Sequence, residues 1–378
     1  MSDLEDTSRQ MPPQRLLMDI ARRFLRDSTT PLTVAPLGDG LINHTYRVDA
    51  PGAAFVLQRI NGAVFPAPER IMDNLSALAA AAARHPELKV RLPALATSGN
   101  LAYVRDADGD VWRLMECIEP SRTLKRLAGT EQAAEVGRVL ARFHRLGAGL
   151  DPATLAVTLP GFHHTPSYLA ALDAAAAATE PDAESRDALA FIDARRGLVG
   201  VLDDALARGR TRLRLIHGDP KVDNLLFDAE GRHALCLIDL DTVQPGLLHH
   251  DIGDCLRSCC NRAGEAGAES VRFDLALCEA LLVGYAETAP GLLSDAEIDL
   301  VAPAIRLIPL ELGIRFLTDH LQGDRYFHVR HRGENLTKAR RQLALVADIE
   351  RQAAGIDAAV RRAFAPPPGH DAASQRWR

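Results

Sequence analysis

The amino-acid sequence predicts an α+β fold of two lobes, with a small, five-stranded, β-rich N-terminal lobe and a large, mainly helical C-terminal lobe. Up to about residue 118, short apolar runs bounded by turn residues are typical of strands. After about residue 131, apolar residues recur at helical spacing. The length of 378 residues also favours two units, at about 150 residues per domain. We therefore predict a flexible leader over 1–13, an N-terminal lobe over 14–118, a C-terminal lobe over 119–364 and a flexible tail over 365–378.

The N-terminal lobe is predicted from five apolar segments and one helix. The segments that predict strands are 32–37, 45–48, 54–57, 101–104 and 111–115. The stretch Asp106–Asp110, between the last two, is rich in the residues of hairpin turns. The helix is predicted over Pro68–Arg84, where a proline stands in the first turn and apolar residues follow at helical spacing.

The C-terminal lobe is predicted to be helical apart from one β insert. Helical periodicity covers 131–146, 167–178 and 183–208. The capping-box sequence that begins at Ser294 opens a further long segment, interrupted by Pro303 and Pro309. Two short strands are predicted within 214–227 and 234–243, on either side of a turn.

Composition and charge limit the function classes. The chain has 44 Lys and Arg against 50 Asp and Glu, a net charge of −6, which gives no support for a nucleic-acid partner. No run reaches the about 18 apolar residues of a membrane span, and the N-terminus does not resemble a secretory signal, so we expect a cytoplasmic protein without a membrane partner. The six cysteines are dilute and are predicted to be reduced packing thiols. Nothing in the composition indicates the oligomeric state.

The β insert contains three residues at the spacing found in phosphoryl-transfer enzymes. His217-Gly218-Asp219 is followed by Asn224, with four residues between the aspartate and the asparagine, as in the catalytic loop of protein kinases. Asp239 ends an apolar strand fifteen positions later, where a kinase has its metal-binding aspartate. A lone His-Gly-Asp would indicate only a turn, but the three elements together predict a catalytic site.

The chemistry of phosphoryl transfer explains why these residue types are needed. Charge builds up on oxygens that are already anionic, so Mg²⁺ must neutralise the triphosphate of ATP. A carboxylate at Asp239 and an amide carbonyl at Asn224 are ligands that Mg²⁺ prefers. Asp219, away from the metal, accepts the proton of the acceptor hydroxyl. We therefore predict ATP and Mg²⁺ as cofactors, Asp219 as the catalytic base, and Asn224 and Asp239 as metal ligands.

These motifs resemble those of the aminoglycoside phosphotransferase and choline kinase superfamily, which implies a bilobal protein-kinase-like fold. Within it, the chain is most similar to the N-acetylhexosamine 1-kinase-like proteins. The blocks that carry this similarity are 38–46, 56–61, 236–246 and 315–327. The resemblance implies an ATP-dependent small-molecule kinase whose partners are ATP and a sugar, phosphorylated above all at the anomeric hydroxyl of an N-acetylhexosamine.

Several residues of the N-terminal lobe are candidates for nucleotide binding. Gly38 and Gly40 lie between two predicted strands, where a backbone without Cβ atoms can approach phosphates closely. Asn43 and Thr45 add side-chain donors. Chain order places the hinge, whose backbone groups would pair with adenine, after the last strand of the lobe, at Met115, Glu116 and Ile118.

The third strand departs from the usual pattern of phosphate binding. Gln58 stands where protein kinases have the lysine that holds the α- and β-phosphates. Arg59 is next in the chain, but neighbouring strand residues face opposite sides. Either Gln58 donates hydrogen bonds to the nucleotide, or Arg59 reaches round, or another cation substitutes.

Three residues are candidates for the acceptor site. Arg315 and Asp319 are four apart and share a helical face, which alone is typical of a surface ion pair. The resemblance implies that Arg315 and Tyr326 contact the sugar. A guanidinium, a carboxylate and an aromatic ring are together suited to binding one.

Other functions remain open from the sequence. An aminoglycoside, choline or another amino alcohol could be the acceptor, although choline would need an aromatic cage for its quaternary amine. The missing lysine at Gln58 is also compatible with a nucleotide-binding pseudokinase module. The neighbouring His249 and His250 leave a metallohydrolase as a remote alternative.

Overall fold

The computed structural model describes residues 12–25, 30–38, 42–264, 270–327 and 329–365. The predicted leader and tail lie outside the described residues, except for positions 12, 13 and 365.

The strands of the N-terminal lobe form one antiparallel sheet in the order β1-β2-β3-β5-β4. They are β1 (Thr33–Pro36), β2 (His44–Ala50), β3 (Ala53–Arg59), β4 (Val104–Arg105) and β5 (Val111–Glu116). The five-stranded sheet is thus confirmed, but β4 is shorter than its predicted segment. Leu101 lies instead in a tight turn, where its carbonyl accepts a hydrogen bond of 2.8 Å from the Ser98 N–H, and its side chain is exposed.

Two helices complete this lobe, and only one of them was predicted. Helix α1 (Gln14–Leu25) buries Leu17, Ile20 and Phe24 against the sheet around Trp112. Their spacing is that of an amphipathic helix, so the signal was present in the sequence. Helix α2 (Glu69–Arg84) matches its prediction and begins directly after Pro68.

The C-terminal lobe is helical, as predicted. Its helices are α3 (Thr130–Gly147), α4 (Thr165–Ala177), α5 (Ala183–Asp193), α6 (Arg196–Val199), α7 (Val201–Ala207), α8 (Leu248–Cys259), α9 (Leu275–Thr288), α10 (Asp295–Ile298), α11 (Val301–Leu321), α12 (Glu334–Arg351) and α13 (Ala353–Ala363). The helical periodicity over 183–208 is confirmed, but Arg195 and Gly200 leave the helical region and divide the segment into three helices. The capping box at Ser294 is confirmed, but its helix ends after one turn. Helix α11 then tolerates Pro303 in its first turn and carries Pro309 inside.

The predicted β insert contains more strands than expected. It consists of β7 (Arg214–Ile216), β8 (Leu225–Asp228), β9 (Ala234–Leu237) and β10 (Gln244–Gly246), together with β6 (Ser121–Thr123) from the connection between the lobes. Strands β6, β8 and β9 form one sheet, and β7 pairs with β10. The motif residues occupy the gaps between these strands, because their backbone groups bond to side chains and loops instead of a ladder.

A buried asparagine joins α2 to the C-terminal lobe. The Asn74 side-chain amide donates to the carbonyls of Ala156 and Val243, both at 2.8 Å, and its oxygen accepts from the Ala156 N–H at 2.8 Å. Helix α2 is therefore fixed to the segment that follows the predicted metal ligand. Within the described residues, no helix has both the length and the hydrophobicity to cross a membrane.

Candidate active site

The loop between β7 and β8 carries the predicted base. It runs over 217–224. Its second residue is Gly218, whose backbone φ of +90° disfavours any residue other than glycine. A Cβ at that position would lie 2.8 Å from the carbonyl oxygen of Thr242. Glycine is therefore required here both by the backbone angle and by the close approach of the segment after Asp239.

A buried carboxylate on α8 holds the backbone of this loop. Asp251 on α8 accepts hydrogen bonds from the backbone N–H groups of His217 at 2.7 Å and Gly218 at 2.8 Å. The His144 Nε2 on α3 donates to the same carboxylate at 2.8 Å, and its other ring nitrogen bonds to the hydroxyl of Tyr285 at 2.8 Å. Burial opposes the charge of Asp251, but these bonds, led by that from His144, keep its pKa below the usual value.

A second buried pair holds the loop from the other side. The His163 ring bonds to the carbonyl of Gly218 and to the carboxylate of Glu311, each at 2.8 Å. Burial works against both charges, yet their attraction raises the pKa of His163 and lowers that of Glu311. Because Glu311 lies on α11, this pair connects the loop to the helix that carries Arg315.

Asp219 projects from the loop with one of its oxygens already occupied. Its Oδ2 accepts from the Nζ of Lys221 at 2.5 Å and from the Nδ2 of Asn224 at 3.0 Å. Enclosure works against the charge of Lys221, but the carboxylates of Asp219 and Asp239 raise its pKa, so the lysine stays protonated. Among the described residues, no hydrogen bond engages the Oδ1 of Asp219.

Asn224 and Asp239 lie side by side, as their predicted role requires. The N–H of Ile238 donates to the carbonyl of Asn224 at 2.9 Å, which ties the loop to the end of β9. Asp239 adopts a left-handed backbone, with φ of 61°, and its side chain opens on the cleft. Enclosure by the protein and then the nearby charge of Asp241 raise its pKa. A cation at this position would favour the ionised form.

This donor set fits Mg²⁺. The amide nitrogen of Asn224 is used by Asp219, so its carbonyl oxygen faces away and remains available. Within the described residues, no group of three His, Cys, Asp or Glu side chains could hold a metal ion. One carboxylate and one amide are the kind of partial shell that Mg²⁺ accepts when phosphate oxygens and water supply the rest.

An arginine that the sequence prediction missed lies above this site. Arg113, in β5, is fully buried and forms an ion pair with Asp241. The side-chain oxygen of Gln58 accepts from its Nε at 3.0 Å and from its Nη2 at 2.6 Å. The amide of Gln58 in turn donates to the hydroxyl of Thr45 at 3.0 Å, and Asn43 donates to Asp241. A charged residue between apolar neighbours, Trp112 and Leu114, was the signal in the sequence.

The structure describes all but one of the remaining residues predicted to bind the nucleotide. Gly38 has a φ of +69° and open space around it, whereas Gly40 lies outside the described residues. At the hinge, Met115 pairs with Val56 in the sheet, and the N–H of Glu116 donates to the carbonyl of Ala94 at 2.8 Å. In the part of the chain that the structure describes, the N–H of Ile118 has no hydrogen-bond partner. Of the three predicted hinge residues, Ile118 is therefore the one whose backbone N–H is available to a nucleobase such as adenine.

Arg315 lies within an aromatic box. The centre of its guanidinium is 5.0 Å from the ring centroid of Tyr168 and 5.4 Å from those of Phe162 and Phe327. Burial opposes its charge, but Tyr168, Glu311, Tyr326 and Asp219 together raise its pKa. Because Arg315 lies one helical turn after Glu311 on α11, the His163–Glu311 pair places it on the side of the loop that carries Asp219.

The other two acceptor candidates have different roles in the structure. Asp319 points into the turn after α11, where it accepts from the N–H groups of Arg325, Tyr326 and Phe327 at 2.8, 2.8 and 2.9 Å. It therefore shapes the loop that presents Phe327 to Arg315. Tyr326 is 53% exposed and packs edge-on against Phe327, with ring centroids 4.8 Å apart.

A family model decides the assignment. The model of the phosphotransferase enzyme family matches residues 33–290, from β1 to the end of α9, including the loop with Asp219, Asn224 and Asp239. The chain belongs to this family. The superfamily inferred from its motifs is thereby confirmed.

Solved structures share the fold of this phosphotransferase. An aminoglycoside phosphotransferase from Alicyclobacillus acidocaldarius subsp. acidocaldarius DSM 446 matches with a TM-score of 0.61 and 17% identity, covering 92% of this chain and 99% of that chain. A microcompartment-associated aminopropanol kinase matches at 0.57 and 18%, over 89% and 98% of the two chains. A spectinomycin phosphotransferase in complex with ADP and spectinomycin matches at 0.57 and 12%, over 90% and 100%. At these identities the likeness is one of fold, and it confirms the bilobal kinase-like architecture.

The neighbouring His249 and His250 both make contacts inside the C-terminal lobe of this phosphotransferase. His249 Nε2 bonds to the carbonyl of Glu297 at 2.8 Å, and the ring of His250 stacks on that of His163 with centroids 4.7 Å apart. Burial is the main cause that lowers the pKa of each to about 3, so both are neutral near pH 7. Their role is therefore packing behind the loop that carries Asp219.

Proposed function

We propose that this phosphotransferase transfers the γ-phosphoryl group of ATP to a hydroxyl of a small neutral sugar, above all the anomeric hydroxyl of an N-acetylhexosamine. The observation that carries the proposal is the position of Arg315. A guanidinium in an aromatic box lies one helical turn after Glu311, which His163 joins to Gly218 next to Asp219, so the acceptor would meet a fixed cation on the side of the base.

The proton of the acceptor hydroxyl passes to Asp219. Its Oδ2 is held by Lys221 and Asn224, which fixes the plane of the carboxylate and directs Oδ1 to the acceptor. Because Asp251 and His163 fix the backbone of Gly218 beside it, the base is preorganised and needs no rearrangement during the reaction. Asn224 and Asp239 would hold Mg²⁺, which neutralises charge on the phosphate oxygens when bound.

The charge of the acceptor side argues against cationic acceptors. The rings of Phe162, Tyr168 and Phe327 surround a cation that belongs to the protein, so they offer no vacant cage for the quaternary amine of choline. An aminoglycoside would bring several positive charges close to Arg315, and like charges in a poorly hydrated site repel strongly. A neutral sugar instead offers hydroxyl and carbonyl oxygens that a guanidinium can bind.

An acceptor panel tests the proposal. We would measure ADP release with Mg-ATP and, in turn, N-acetylglucosamine, N-acetylgalactosamine, unmodified hexoses, choline and an aminoglycoside. We expect turnover with a neutral sugar. Turnover with choline or the aminoglycoside alone would contradict the sugar assignment, and nucleotide binding without turnover on any acceptor would favour the pseudokinase module.

The variant Arg315→Met tests the observation that carries the proposal. Loss of the guanidinium removes at least one charge-assisted hydrogen bond to the acceptor, so we expect its KM to rise about 10-fold or more while that of ATP stays unchanged. Arg306→Met is the matched control, because Arg306 lies on the same helix and points to Glu350 at 4.0 Å. Equal effects of the two substitutions on the acceptor KM would refute the role of Arg315.

A further inference from the structure

A buried arginine stands opposite the position where the phosphate-binding lysine is missing. In the ladder between β3 and β5, Gln58 is the direct partner of Arg113. Directly opposed residues project from the same face of a sheet, so the two side chains reach the same region of the cleft. Arg113 is 0% exposed, and its charge is placed beside the segment that carries Asp239.

The neighbours of Arg113 hold it in one orientation. Gln58 accepts two hydrogen bonds from the guanidinium and is itself fixed by the hydroxyl of Thr45. Asp241 supplies the opposite charge from the C-terminal lobe. The ion pair therefore crosses the cleft between the lobes, two positions beyond Asp239.

Two other arginines of the lobe form ion pairs with carboxylates of the same lobe. Arg59 pairs with Asp110 at 3.3 Å, beside the hairpin. Arg105 pairs with Glu69, at the start of α2, at 3.1 Å. Neither ion pair includes Gln58 or a residue of the 217–224 loop.

One nitrogen of the buried guanidinium has no partner. The Nη1 of Arg113 is inaccessible to solvent and makes no hydrogen bond in the described part of the chain. A buried charged donor without an acceptor is costly, so such a group indicates a ligand that supplies the acceptor. In a cleft with Asn224 and Asp239, a phosphate oxygen is an acceptor of the right charge.

We propose that Arg113 replaces the missing lysine: its Nη1 donates to a phosphate oxygen of the bound nucleotide, while Gln58 and Asp241 hold the guanidinium in place. This inference rests on the proposed use of a nucleotide. In this arrangement Gln58 orients the arginine instead of contacting the nucleotide itself.

The test compares the binding of ADP and adenosine to Arg113→Met by calorimetry, in EDTA so that no divalent metal contributes. We expect ADP to bind about 10- to 100-fold more weakly than to the unmodified protein, with adenosine changed less than about 3-fold. Arg59→Met is the matched control and should leave both affinities unchanged. An unchanged ratio of ADP to adenosine affinity in Arg113→Met would overturn the proposal.

Two further variants separate direct contact from indirect effects. Asp241→Asn keeps an oxygen that can accept from the guanidinium and removes a negative charge from the cleft, so in EDTA it should leave ADP binding equal or tighter. If Arg113 acted only by holding Asp241, the two substitutions would weaken ADP binding equally.

Should Arg113→Met fail to fold, Gln58→Met provides the test: we expect ADP affinity to fall about 3- to 10-fold with adenosine unaffected, and no change refutes the proposal. If the unmodified protein binds neither ADP nor ATP, it is the proposed function that fails.

Discussion

The loop that carries Asp219 and the loop that follows α11 are held in different ways. The first, over 217–224, is fixed by buried groups from three helices, with Asp251, His144 and Glu311 among them. The second, over 322–327, is held by the carboxylate of Asp319 and by Asn335, which bonds to both Asp319 and Asp324, and its tip is exposed at Tyr326.

This difference separates the chemistry from the choice of acceptor. The groups that hold the loop with Asp219 reach the acceptor side only through Glu311 on α11, so a change of acceptor need disturb few of them. The acceptor-side loop is held from the end of α11 and the start of α12, and it can change its shape at little cost to the core. Substitutions in the first region should therefore alter turnover and stability, and those in the second should alter acceptor affinity.

The largest effect is expected from Asp219→Asn. The amide keeps the shape of the side chain but cannot accept the acceptor proton, so kcat should fall about 1,000-fold with nucleotide affinity retained. Steady-state ADP release and calorimetry measure the two quantities. Asp223→Asn is the control from the same loop, because Asp223 faces Lys125 at 3.3 Å. Unchanged turnover in Asp219→Asn would remove Asp219 from the role of base.

Asp251→Asn should produce the next largest effect. The amide nitrogen would replace one carboxylate oxygen and face either the Gly218 N–H or the donors from His217 and His144, and the buried charge would be lost, which should cost about 3 kcal/mol in the free energy of unfolding. Denaturant unfolding measures this loss. Asp204→Asn, at an exposed pair with Arg208, should change the same quantity by less than about 0.5 kcal/mol. Equal losses in the two variants would show that the loop is not held by its buried anchor.

The two regions also differ in how far the sequence predicted them. In the first region, sequence spacing alone predicted that three residues lie close together. They are Asp219, Asn224 and Asp239, which the fold places next to the ends of β7, β8 and β9. Its anchors could not be assigned from spacing, since His144 and Glu311 come from helices more than sixty residues away in the chain. Their contacts arise only when the helices pack.

The same limit applies to Arg113 and Asp319. Gln58 marked a missing cation, but its replacement lies on a strand that pairs with β3 only through the register of the sheet. Asp319 shares a helical face with Arg315 as predicted, yet its carboxylate bonds to the backbone of the following turn. Helical spacing predicts a shared face but not whether a side chain turns to the cleft or to the end of its own helix.

Asp319→Ala should affect the acceptor side alone. Without its carboxylate, three N–H groups lose their acceptor and the loop with Phe327 loosens, so we expect the acceptor KM to rise about 10-fold with the KM of ATP unchanged. Asp319→Asn retains one acceptor oxygen and should recover part of the loss. If kcat falls about 100-fold in the alanine variant without a change in acceptor KM, the separation between the two regions does not hold.

A pH-dependent effect is expected from the region behind the loop that carries Asp219. Burial keeps the pKa of His249 at about 3, below the value of about 6.5 of an unfolded histidine. Between these values the unfolded chain binds the proton and the folded chain does not, so this contribution to stability is complete above pH 6.5 and is lost as the pH falls towards 3. We expect the free energy of unfolding to decrease by up to about 1.4 kcal/mol per pH unit for this group.

The variant His249→Gln tests this, because glutamine can keep the hydrogen-bond donor to the carbonyl of Glu297 but does not titrate. It should flatten the dependence of the unfolding free energy on pH, measured by denaturant unfolding. Phe327→Leu, in the acceptor-side loop, removes no ionisable group and should leave the slope unchanged. An equal change of slope in both variants would place the acid sensitivity outside the buried anchor.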